Sequence, residues 1–547
     1  MILQDLGIDC EILEASERIG GRVYTHRFNG QAGYDAPRNT PARYDYFDVG
    51  AMRFPDIPFM ERVFDLFKRV GVDDLLIDYH LGTENNLAFY NAKPPIRKNE
   101  VNPLSDPFKV AVANGGTVPD KYALVEGAPK KWISEAIDPY REKFREAYKK
   151  PVSQRLRQFE EAWDYLMQQD HHTTRGYMQS KVEPYPEPVV HWLETVDSGT
   201  GFFNYAFTET VIDSLDFDWP WASTTPDPEQ TKETKWVCID GGSDHLIHEM
   251  ARTLKHQPLL EQRVTKLELL PGNRQIQVTG RSRNWTWARQ YEQVICTVPL
   301  GCLGGIDTDR AGLSYNQRQA VRALQYGSST KVGIKFARRW WDDPAVCPAG
   351  PMHGGQSSTD APIRTCVYPS YGLETPSAPG VLMASYAWAQ DAQRVGALAQ
   401  EKGGAADKML LELVLNDLEK IHGIPQKRFG PIEDHYAHNW DNAAFARGAF
   451  AHYGPGQFGA PGDDGRLFAS IKAPAADGRL HIAGEATSVH HAWVLGALNS
   501  AWRAVYNLLV KSYPKKVDLL IKNWGIPDEE NQRSLLRLAE LAKRNVF

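Results

Sequence analysis

The chain has 547 residues, of which 42% are hydrophobic and 11% aromatic. This length exceeds what one hydrophobic core normally contains, so we expect two or three globular domains. The 62 basic and 68 acidic residues leave a net charge of -6, which provides no broad attraction for nucleic acid. No long apolar run is present, so we expect no membrane-spanning helix.

Six cysteines are scattered along the chain without a CxxC pair, so the sequence indicates neither a zinc site nor a disulfide framework. This usage is typical of a reducing compartment. The amino terminus lacks the charged and then apolar pattern of a targeting peptide. The cytoplasm is therefore the default expectation, although a targeting peptide could have been lost with residues upstream of Met1.

The first residues predict the end of a helix and the start of a strand. Residues 1–6, followed by Gly7, are typical of a helix that stops at a glycine, and residues 9–13 are predicted to enter a sheet. Glu14 then stands where a dinucleotide-binding fold has its ribose-binding acid. In that fold a glycine-rich phosphate turn lies about 20 residues before the acid, but only 13 residues precede Glu14. We expect that the chain begins inside this motif, either because its start is assigned too far downstream or because the phosphate turn is absent.

Helical patterns follow further along the chain. The stretch from Pro129 to about Leu215 is mostly helical, with Pro139 near a helix start, and residues 404–422 have apolar side chains at helical spacing. The tail 513–547 is predicted to be helical and peripheral. The apolar positions within 404–422 are Met409, Leu410, Leu413, Val414, Leu418 and Ile421.

Short segments rich in β-branched residues and bounded by turn residues predict strands. The alternation of apolar and polar residues supports several of them. The predicted strands lie within 44–49, 236–240, 264–269, 275–279, 291–298, 330–336 and 480–483.

Three local patterns could carry chemistry. Gly50 and Ala51 let backbone approach a ligand closely, and Arg53, just after them, could clamp a carboxylate with a charge-assisted bond worth about 1.5–3 kcal/mol. The junction at Gly484 lies between a strand and a helix and presents backbone N–H groups. Each pattern also has an ordinary structural explanation, namely a core-closing arginine or a common turn. Lys331, among strand-forming residues, would ordinarily be solvated.

Taken together, these segments resemble the flavin monoamine oxidase family. The order in which they occur is far more specific than any single piece, and the similarity runs from residue 1 to about residue 510. The segment Gly50-Ala51-Met52-Arg53 and the pair Tyr368-Pro369 make the chain similar to the L-amino acid oxidase branch. The matching segments are Glu14-Ala15-Ser16, Gly20-Gly21-Arg22, Gly50-Ala51-Met52-Arg53, Asp240-Gly241-Gly242, Thr330-Lys331 and Ala483-Gly484-Glu485.

The resemblance implies an α/β fold of three units and a homodimer as a possible assembly. A Rossmann-like FAD-binding domain, incomplete at its amino terminus, is expected over 1–35, 236–325 and 460–512. A mixed-sheet substrate-binding domain is expected over 36–128 and 326–459. An inserted helical domain with its connector is expected over 129–235, followed by the carboxyl-terminal helical tail 513–547.

The resemblance also implies where FAD binds. Glu14 would bind the adenosine ribose, and Val264 would touch the adenine through its backbone. The other expected cofactor residues are Ala15, Gly21, Arg22, Gly50, Ala51, Met52, Arg53, Gly484 and Glu485, with Ala492, Trp493, Val494, Leu495, Gly496 and Ala497 at the isoalloxazine end.

The same resemblance assigns catalytic and substrate-binding roles. Arg53 and Tyr368 would grip a substrate carboxylate, and Lys331 would hold a water near the flavin. Trp493 would form an aromatic wall, with Phe450 opposite it. Two further pocket residues depart from the family pattern: Ala492 stands where relatives usually have glycine, and Asp213 stands where relatives have a histidine. No histidine general base is therefore established.

These residues imply oxidative deamination of L-amino acids to 2-oxo acids, with release of ammonia and with dioxygen reduced to hydrogen peroxide. The expected partners are an amino acid and dioxygen, without nucleic acid or membrane. Two alternatives stay open. An amine or polyamine oxidase would use the same cofactor without a carboxylate to clamp, and a degenerate, flavin-free protein would explain the missing phosphate turn.

Overall fold

The computed structural model describes residues 1–197, 199–217, 219, 234–272, 274–283, 285–347, 349–375, 377–459 and 467–530. The described chain contains both α-helices and β-strands. The α-helices are Ile2–Asp5, Gln31–Tyr34, Glu61–Val70, Asp120–Ala123, Lys130–Tyr148, Val152–Met167, Thr174–Ser180, Glu187–Asp197, Phe207–Phe217, Asp244–Arg252, Leu300–Leu303, Tyr315–Ala323, Ala389–Gly396, Ala405–His422, Leu467–Lys472, Val494–Ser512 and Val517–Trp524.

The strands form one large sheet and several small ones. They are Thr25–Arg27, Tyr46–Asp48, Phe54–Asp56, Leu76–Asp78, Leu87–Phe89, Ile96–Arg97, Lys235–Ile239, Arg263–Leu269, Ile276–Ser282, Trp285–Tyr291, Val294–Cys296, Tyr326–Gly327, Ser329–Phe336, Gln356–Thr359, Thr365–Val367, Gly380–Trp388, Ile432–Asn439, Phe450–Ala451 and Leu480–Ile482. Each of the seven regions predicted as strands from their β-branched residues contains a strand.

The large sheet has seven strands and is mixed. Its order starts at Ile432–Asn439 and ends at Ile96–Arg97, and Gln356–Thr359 runs parallel to Leu87–Phe89 while the other pairs are antiparallel. We call it the substrate sheet. In its strand Ser329–Phe336, successive side chains lie on opposite faces of the sheet, and the two faces differ in their residues.

Helix Ala405–His422 packs against one face of the substrate sheet. Its residues Leu410, Val414, Leu418 and Ile421 join a core with Val332, Ile334 and Phe336 of strand Ser329–Phe336. Lys331 therefore points to the opposite face. The helix confirms the prediction for 404–422 to within one residue, but Met409 is 58% exposed rather than part of the apolar face.

The small sheets lie towards the amino-terminal segments. Strands Val294–Cys296 and Leu480–Ile482 form a parallel pair, and Arg263–Leu269 belongs to a three-stranded antiparallel sheet. Helix Ile2–Asp5 is followed by Gly7 with φ 64°, as predicted. The predicted strand at 9–13 is reduced to one parallel bridge between Leu13 and Leu259, with no second partner strand in the described chain.

The helical insertion is built mainly from Lys130–Tyr148, Val152–Met167 and three shorter helices. Its first long helix starts at Lys130 and continues through Pro139, so the prediction of a helix start near Pro139 was wrong. The proline removes one backbone hydrogen bond. Burial of Ile137, Tyr140 and Phe144 on the same helix compensates for that loss.

The tail is only partly peripheral. Helix Val517–Trp524 confirms the helical prediction, but Glu530 is completely buried. Residues 531–547 lie outside the described residues. Among the helices that the structure describes, none is both long enough and apolar enough to cross a bilayer. The domain boundaries given above stay a prediction.

The contrast between Leu418 and Met409 on helix Ala405–His422 gives a test of the core. Leu418 is fully buried, so Leu418→Ala is expected to lower the free energy of unfolding by about 2–5 kcal/mol because it leaves a cavity. Met409→Ala should change it by less than about 0.5 kcal/mol. Urea denaturation followed by circular dichroism measures both values, and equal effects of the two substitutions would contradict this packing.

Candidate active site

A cavity of about 1530 Å³ lies between the substrate sheet, the helical insertion and the small parallel pair. Pockets for drug-sized ligands measure about 300–1,000 Å³, so this one can hold a larger molecule together with a smaller one. Most of the predicted site residues line it. They are Glu14, Ala15, Gly21, Arg22, Gly50, Ala51, Met52, Arg53, Asp213, Val264, Lys331, Phe450, Gly484, Glu485, Ala492, Trp493, Val494 and Ala497.

Tyr368 does not line this cavity, so its assignment to the substrate carboxylate was wrong for this structure. It is fully buried in the core behind the substrate sheet. Its hydroxyl lies 2.9 Å from Ser357 Oγ and 2.6 Å from His422 Nε2. Both partners are internal, so the hydroxyl has a structural role between sheet and helix.

Leu495 and Gly496 also lie away from the cavity, contrary to their predicted contact with the cofactor. Leu495 is buried in the main core, and a Cβ on Gly496 would lie 2.1 Å from the carbonyl oxygen of His490. Both belong to helix Val494–Ser512. On a helix only positions three or four apart share a face, and Val494, Ala497 and Leu498 form the face towards the cavity.

Glu14 lies at one end of the cavity. Its Oε1 accepts hydrogen bonds of 2.7 Å from the backbone N–H and the hydroxyl of Ser16. Its Oε2 has no hydrogen-bond partner among the residues described. Val264 lies nearby at a register shift of its strand, where the regular ladder is interrupted. The arrangement leaves one carboxylate oxygen and a stretch of backbone for a ligand.

Gly50 marks the closest backbone approach along the cavity. A Cβ at this position would lie 1.8 Å from the carbonyl oxygen of Arg22, so only glycine fits. Arg22 in turn donates to Glu485 Oε1 at 2.7 Å. Burial alone would raise the pKa of Glu485, but the Arg22 guanidinium outweighs it and lowers the pKa. Glu485 is therefore a charged group that fixes the cavity wall.

Glu485 also fixes the position of Ala492. Its Oε2 accepts from the Ala492 backbone N–H at 3.3 Å. Ala492 has φ 66°, in the left-handed region that disfavours residues with a Cβ. This conformation explains why glycine is suited to the position, and it costs the alanine roughly 1–2 kcal/mol.

Lys331 reaches into the cavity from the substrate sheet. Its Nζ donates to the carbonyl oxygens of Gly50 at 2.7 Å and Asp48 at 3.1 Å. The ammonium also lies 4.5 Å from the ring centre of Tyr386. Burial lowers the pKa of Lys331 to about 7, because the charged form loses its hydration. Lys331 can therefore exist in either protonation state near neutral pH.

Arg53 also lines the cavity, and no acidic side chain in the described chain pairs with it. Its guanidinium carbon lies 4.9 Å from the ring centre of Phe217, 5.6 Å from Trp236 and 5.8 Å from Tyr79. Its Nη1 is buried without a hydrogen-bond partner among these residues. A half-buried guanidinium whose buried Nη1 is an unused donor is suited to binding an anion.

Asp213 supplies a negative group beside Trp493 in the same cavity. Burial, together with the neighbouring Asp216 and Glu209, raises the pKa of Asp213 to about 7. Asp216, on the same helix, lies 2.7 Å from His490 Nδ1 and is therefore not free for a ligand.

Several cavity residues were not predicted from the sequence. Tyr386 and Trp388 project from the strand Gly380–Trp388, and Phe217 covers Arg53. No local motif marks these residues. Only alternation along the strand could have shown that Tyr386 and Trp388 share one face, and it does not show which face meets a ligand.

Comparison with known proteins identifies the family of this chain. The model of the family described as flavin-containing amine oxidoreductase matches residues 2–509. A Dictyostelium discoideum protein named "putative bifunctional amine oxidase" is 37% identical over 553 residues, and the match includes 97% of this chain but only 46% of that protein. The chain thus spans about half the length of that relative. L-amino-acid oxidase 4 of Hebeloma cylindrosporum is 34% identical, over 96% of this chain and 82% of its own.

Solved structures support the fold. A putrescine oxidase double mutant aligns with a TM-score of 0.61 at 15% identity, over 93% of this chain and 95% of its own. Cyclohexylamine oxidase from Brevibacterium oxydans aligns with a TM-score of 0.56 at 15% identity, over 99% and 96% of the two chains. The chain therefore belongs to the flavin-containing amine oxidoreductase family, and its cofactor is FAD.

Proposed function

We propose that this flavin-dependent oxidoreductase acts on L-amino acids. It would oxidise the bond between Cα and the amino nitrogen to an imino acid, which water hydrolyses to a 2-oxo acid and ammonia. Dioxygen would accept the electrons and form hydrogen peroxide. The observation that carries this proposal is the guanidinium of Arg53 in the cavity, which has no ion-pair partner among the residues that the structure describes.

A buried charge without a counter-charge is costly. The aromatic rings around Arg53 recover only about 0.5–2 kcal/mol each, and no carboxylate of the described chain approaches it. The α-carboxylate of an amino acid supplies both the missing charge and two acceptor oxygens for a guanidinium. Binding through the carboxylate would hold Cα in one orientation, which replaces a random encounter by a fixed geometry.

FAD fits the residues on the other side of the cavity. Glu14 Oε2 is available for a ribose hydroxyl. The absence of a Cβ at Gly50 lets this wall segment pack tightly against the Arg22 backbone, and Gly50 itself lines the cavity. When bound, the flavin supplies the two-electron oxidation of the substrate and passes the electrons to dioxygen. The ion pair between Arg22 and Glu485 contributes indirectly, because it holds the cavity wall in place.

Lys331 can accept a proton in this reaction. In its neutral form both N–H groups are used by the carbonyl oxygens of Asp48 and Gly50, which leaves the lone pair on Nζ as an acceptor. Its lowered pKa, about 7, makes that form accessible. The substrate amine must lose its proton before oxidation, and Lys331 is suited to take it through a water.

The substrate side chain would lie near Phe450 and Trp493, which favours apolar or aromatic residues. Asp213, close to Trp493, adds a possible contact for a basic side chain. We therefore propose a broad specificity in which the charge of Asp213 decides how well lysine competes with leucine.

Oxidation of a simple amine is the second candidate function, and the names of the Dictyostelium protein and of the aligned oxidase structures favour it. Such a substrate has no carboxylate, so it would leave Arg53 unpaired. The two candidates therefore differ in what Arg53 contributes to turnover.

Replacing Arg53 distinguishes these candidates. In Arg53→Met, kcat/KM for L-leucine is expected to fall by about 10²–10⁴, because removing one partner of a buried charge pair costs roughly 3–5 kcal/mol. Oxidation of 3-methylbutylamine, which is leucine without its carboxylate, should not fall. Peroxide release measured with both substrates gives the two ratios. An equal loss on both substrates, or no loss on leucine, would contradict the carboxylate clamp.

The ionisation of Asp213 predicts a pH dependence of selectivity. The carboxyl is neutral below its pKa of about 7 and charged above it, while a lysine side chain stays cationic up to about pH 10. The ratio of kcat/KM for L-lysine to that for L-leucine should therefore rise about tenfold between about pH 6 and pH 8, which corresponds to about 1.4 kcal/mol. Using a ratio cancels the titration of the α-amine that both substrates share.

Asp213→Asn is the matched variant, because it keeps the shape and removes the charge. The pH dependence of the lysine to leucine ratio should disappear in this variant. A ratio that is flat in the unmodified protein, or one that rises equally in the variant, would remove Asp213 from the substrate site.

A further inference from the structure

The carboxyl-terminal residues 524–530, here called the strap, contact two helices and one loop of the molecule. The Trp524 carbonyl accepts from Arg62 Nη1 at 2.8 Å, and its ring lies under Arg69 at 3.9 Å. Asp528 Oδ2 accepts from the Tyr148 hydroxyl at 2.6 Å. The strap is thereby fixed to the helices Glu61–Val70 and Lys130–Tyr148, although the sequence predicted a peripheral tail.

Two glutamates of the strap hold residues 487–493, here called the wall loop. Glu529 accepts from Ser488 Oγ at 2.6 Å and from the Val489 backbone N–H at 2.8 Å. Glu530 lies 3.0 Å from Arg503 Nη1, and the same nitrogen donates to the Thr487 carbonyl at 2.6 Å. One glutamate therefore holds the loop directly, and the other holds it through Arg503.

The opposite side of the wall loop is held by helix Phe207–Phe217. Glu209 Oε1 lies 2.6 Å from His491 Nδ1, and Asp216 Oδ1 lies 2.7 Å from His490 Nδ1. Burial opposes protonation of both histidines, but the adjacent carboxylates outweigh it and raise the pKa of each. The loop is thus held between charged partners on two sides.

The wall loop depends on these partners because no regular ladder satisfies its backbone. Val489 donates to Glu529, His490 to the Ser488 hydroxyl, and Ala492 to Glu485. Backbone groups that lose such a partner in a buried place cost free energy. The loop ends at Trp493, whose side chain faces the cavity.

We propose that the strap positions Trp493 in the cavity wall by clamping the wall loop, and that Glu529 and Glu530 are positioning residues. Without them Val489 and Ser488 lose their acceptor, and Arg503 and Lys472 lose their counter-charge. The loop then opens locally while the rest of the fold stays closed. The effect on turnover rests on the proposed function, whereas the effect on loop order does not.

Amide hydrogen exchange tests the clamp directly in the full-length protein. In Glu529→Gln and Glu530→Gln, exchange in a peptide covering the wall loop is expected to speed up by at least about tenfold. Exchange in helix Ala405–His422 should stay unchanged. Asp528→Asn is the matched control, because Asp528 belongs to the same strap but bonds to Tyr148 instead of the loop.

A second variant distinguishes loss of the clamp from a general loss of stability. Ser488→Ala removes one bond to Glu529 from the loop side, so it should also speed exchange of the wall loop, and its effect should shrink when combined with Glu529→Gln. Unchanged exchange of the loop in the glutamate variants would overturn the proposal. The same would follow from an equal increase in Asp528→Asn or in the distant helix.

Turnover provides the second readout. If Trp493 is displaced, kcat for the amino acid is expected to fall about tenfold in Glu529→Gln while bound FAD is retained, as judged by its visible absorbance. Faster loop exchange with no amino acid turnover in the unmodified protein would leave the clamp intact and reject the proposed function. Faster loop exchange with unchanged kcat would reject the positioning of Trp493.

Discussion

An arginine for which the described residues offer no counter-charge is the constraint on which this cavity depends. Arg53 is surrounded by Phe217, Trp236 and Tyr79, and its Nη1 has no partner in the described chain. Its neighbour Lys331 cannot balance it, and the Arg53 charge contributes to the lowered pKa of Lys331. Two basic groups that line the same cavity favour an anionic ligand between them. The carboxylate of an amino acid meets this requirement, and a simple amine does not.

Several other charges near the cavity are paired, which distinguishes them from Arg53. Arg22 pairs with Glu485, and His490 and His491 pair with Asp216 and Glu209. These pairs connect the cavity wall with the helical insertion, and the strap adds a further connection. Buried pairs contribute little net stability compared with apolar packing. Their effect here is to fix which side chains face the cavity. Asp213 lies on the same helix as Glu209 and Asp216, and it is the carboxyl that these pairs leave available for a ligand.

Part of this arrangement could be predicted from the sequence. Helix Ala405–His422 was predicted to within one residue because its apolar spacing matches one helical face. Arg53, Lys331 and Glu485 were found because several short motifs occur in a fixed order. Tyr368 was misplaced because a linear motif does not show which side of the chain a residue faces after a strand, and that side changes with each residue. The predicted cofactor contacts of Leu495 and Gly496 were wrong for the equivalent reason, because neighbouring residues of a helix lie on different faces. The burial of Glu530 depends on tertiary contacts with Arg503 and Lys472, which no local pattern records.

Binding of an unreactive ligand pair tests the role of the unpaired guanidinium most directly. The ligands 4-methylpentanoate and 4-methylpentanamide resemble leucine without its amino group, and they differ mainly in the charge of the carboxyl end. Titration of the FAD-loaded protein by calorimetry, with the flavin absorbance as a second signal, gives both dissociation constants. The account predicts that the carboxylate binds at least about 100-fold more tightly, a difference of about 2.7 kcal/mol. Equal affinities for the acid and the amide would contradict it.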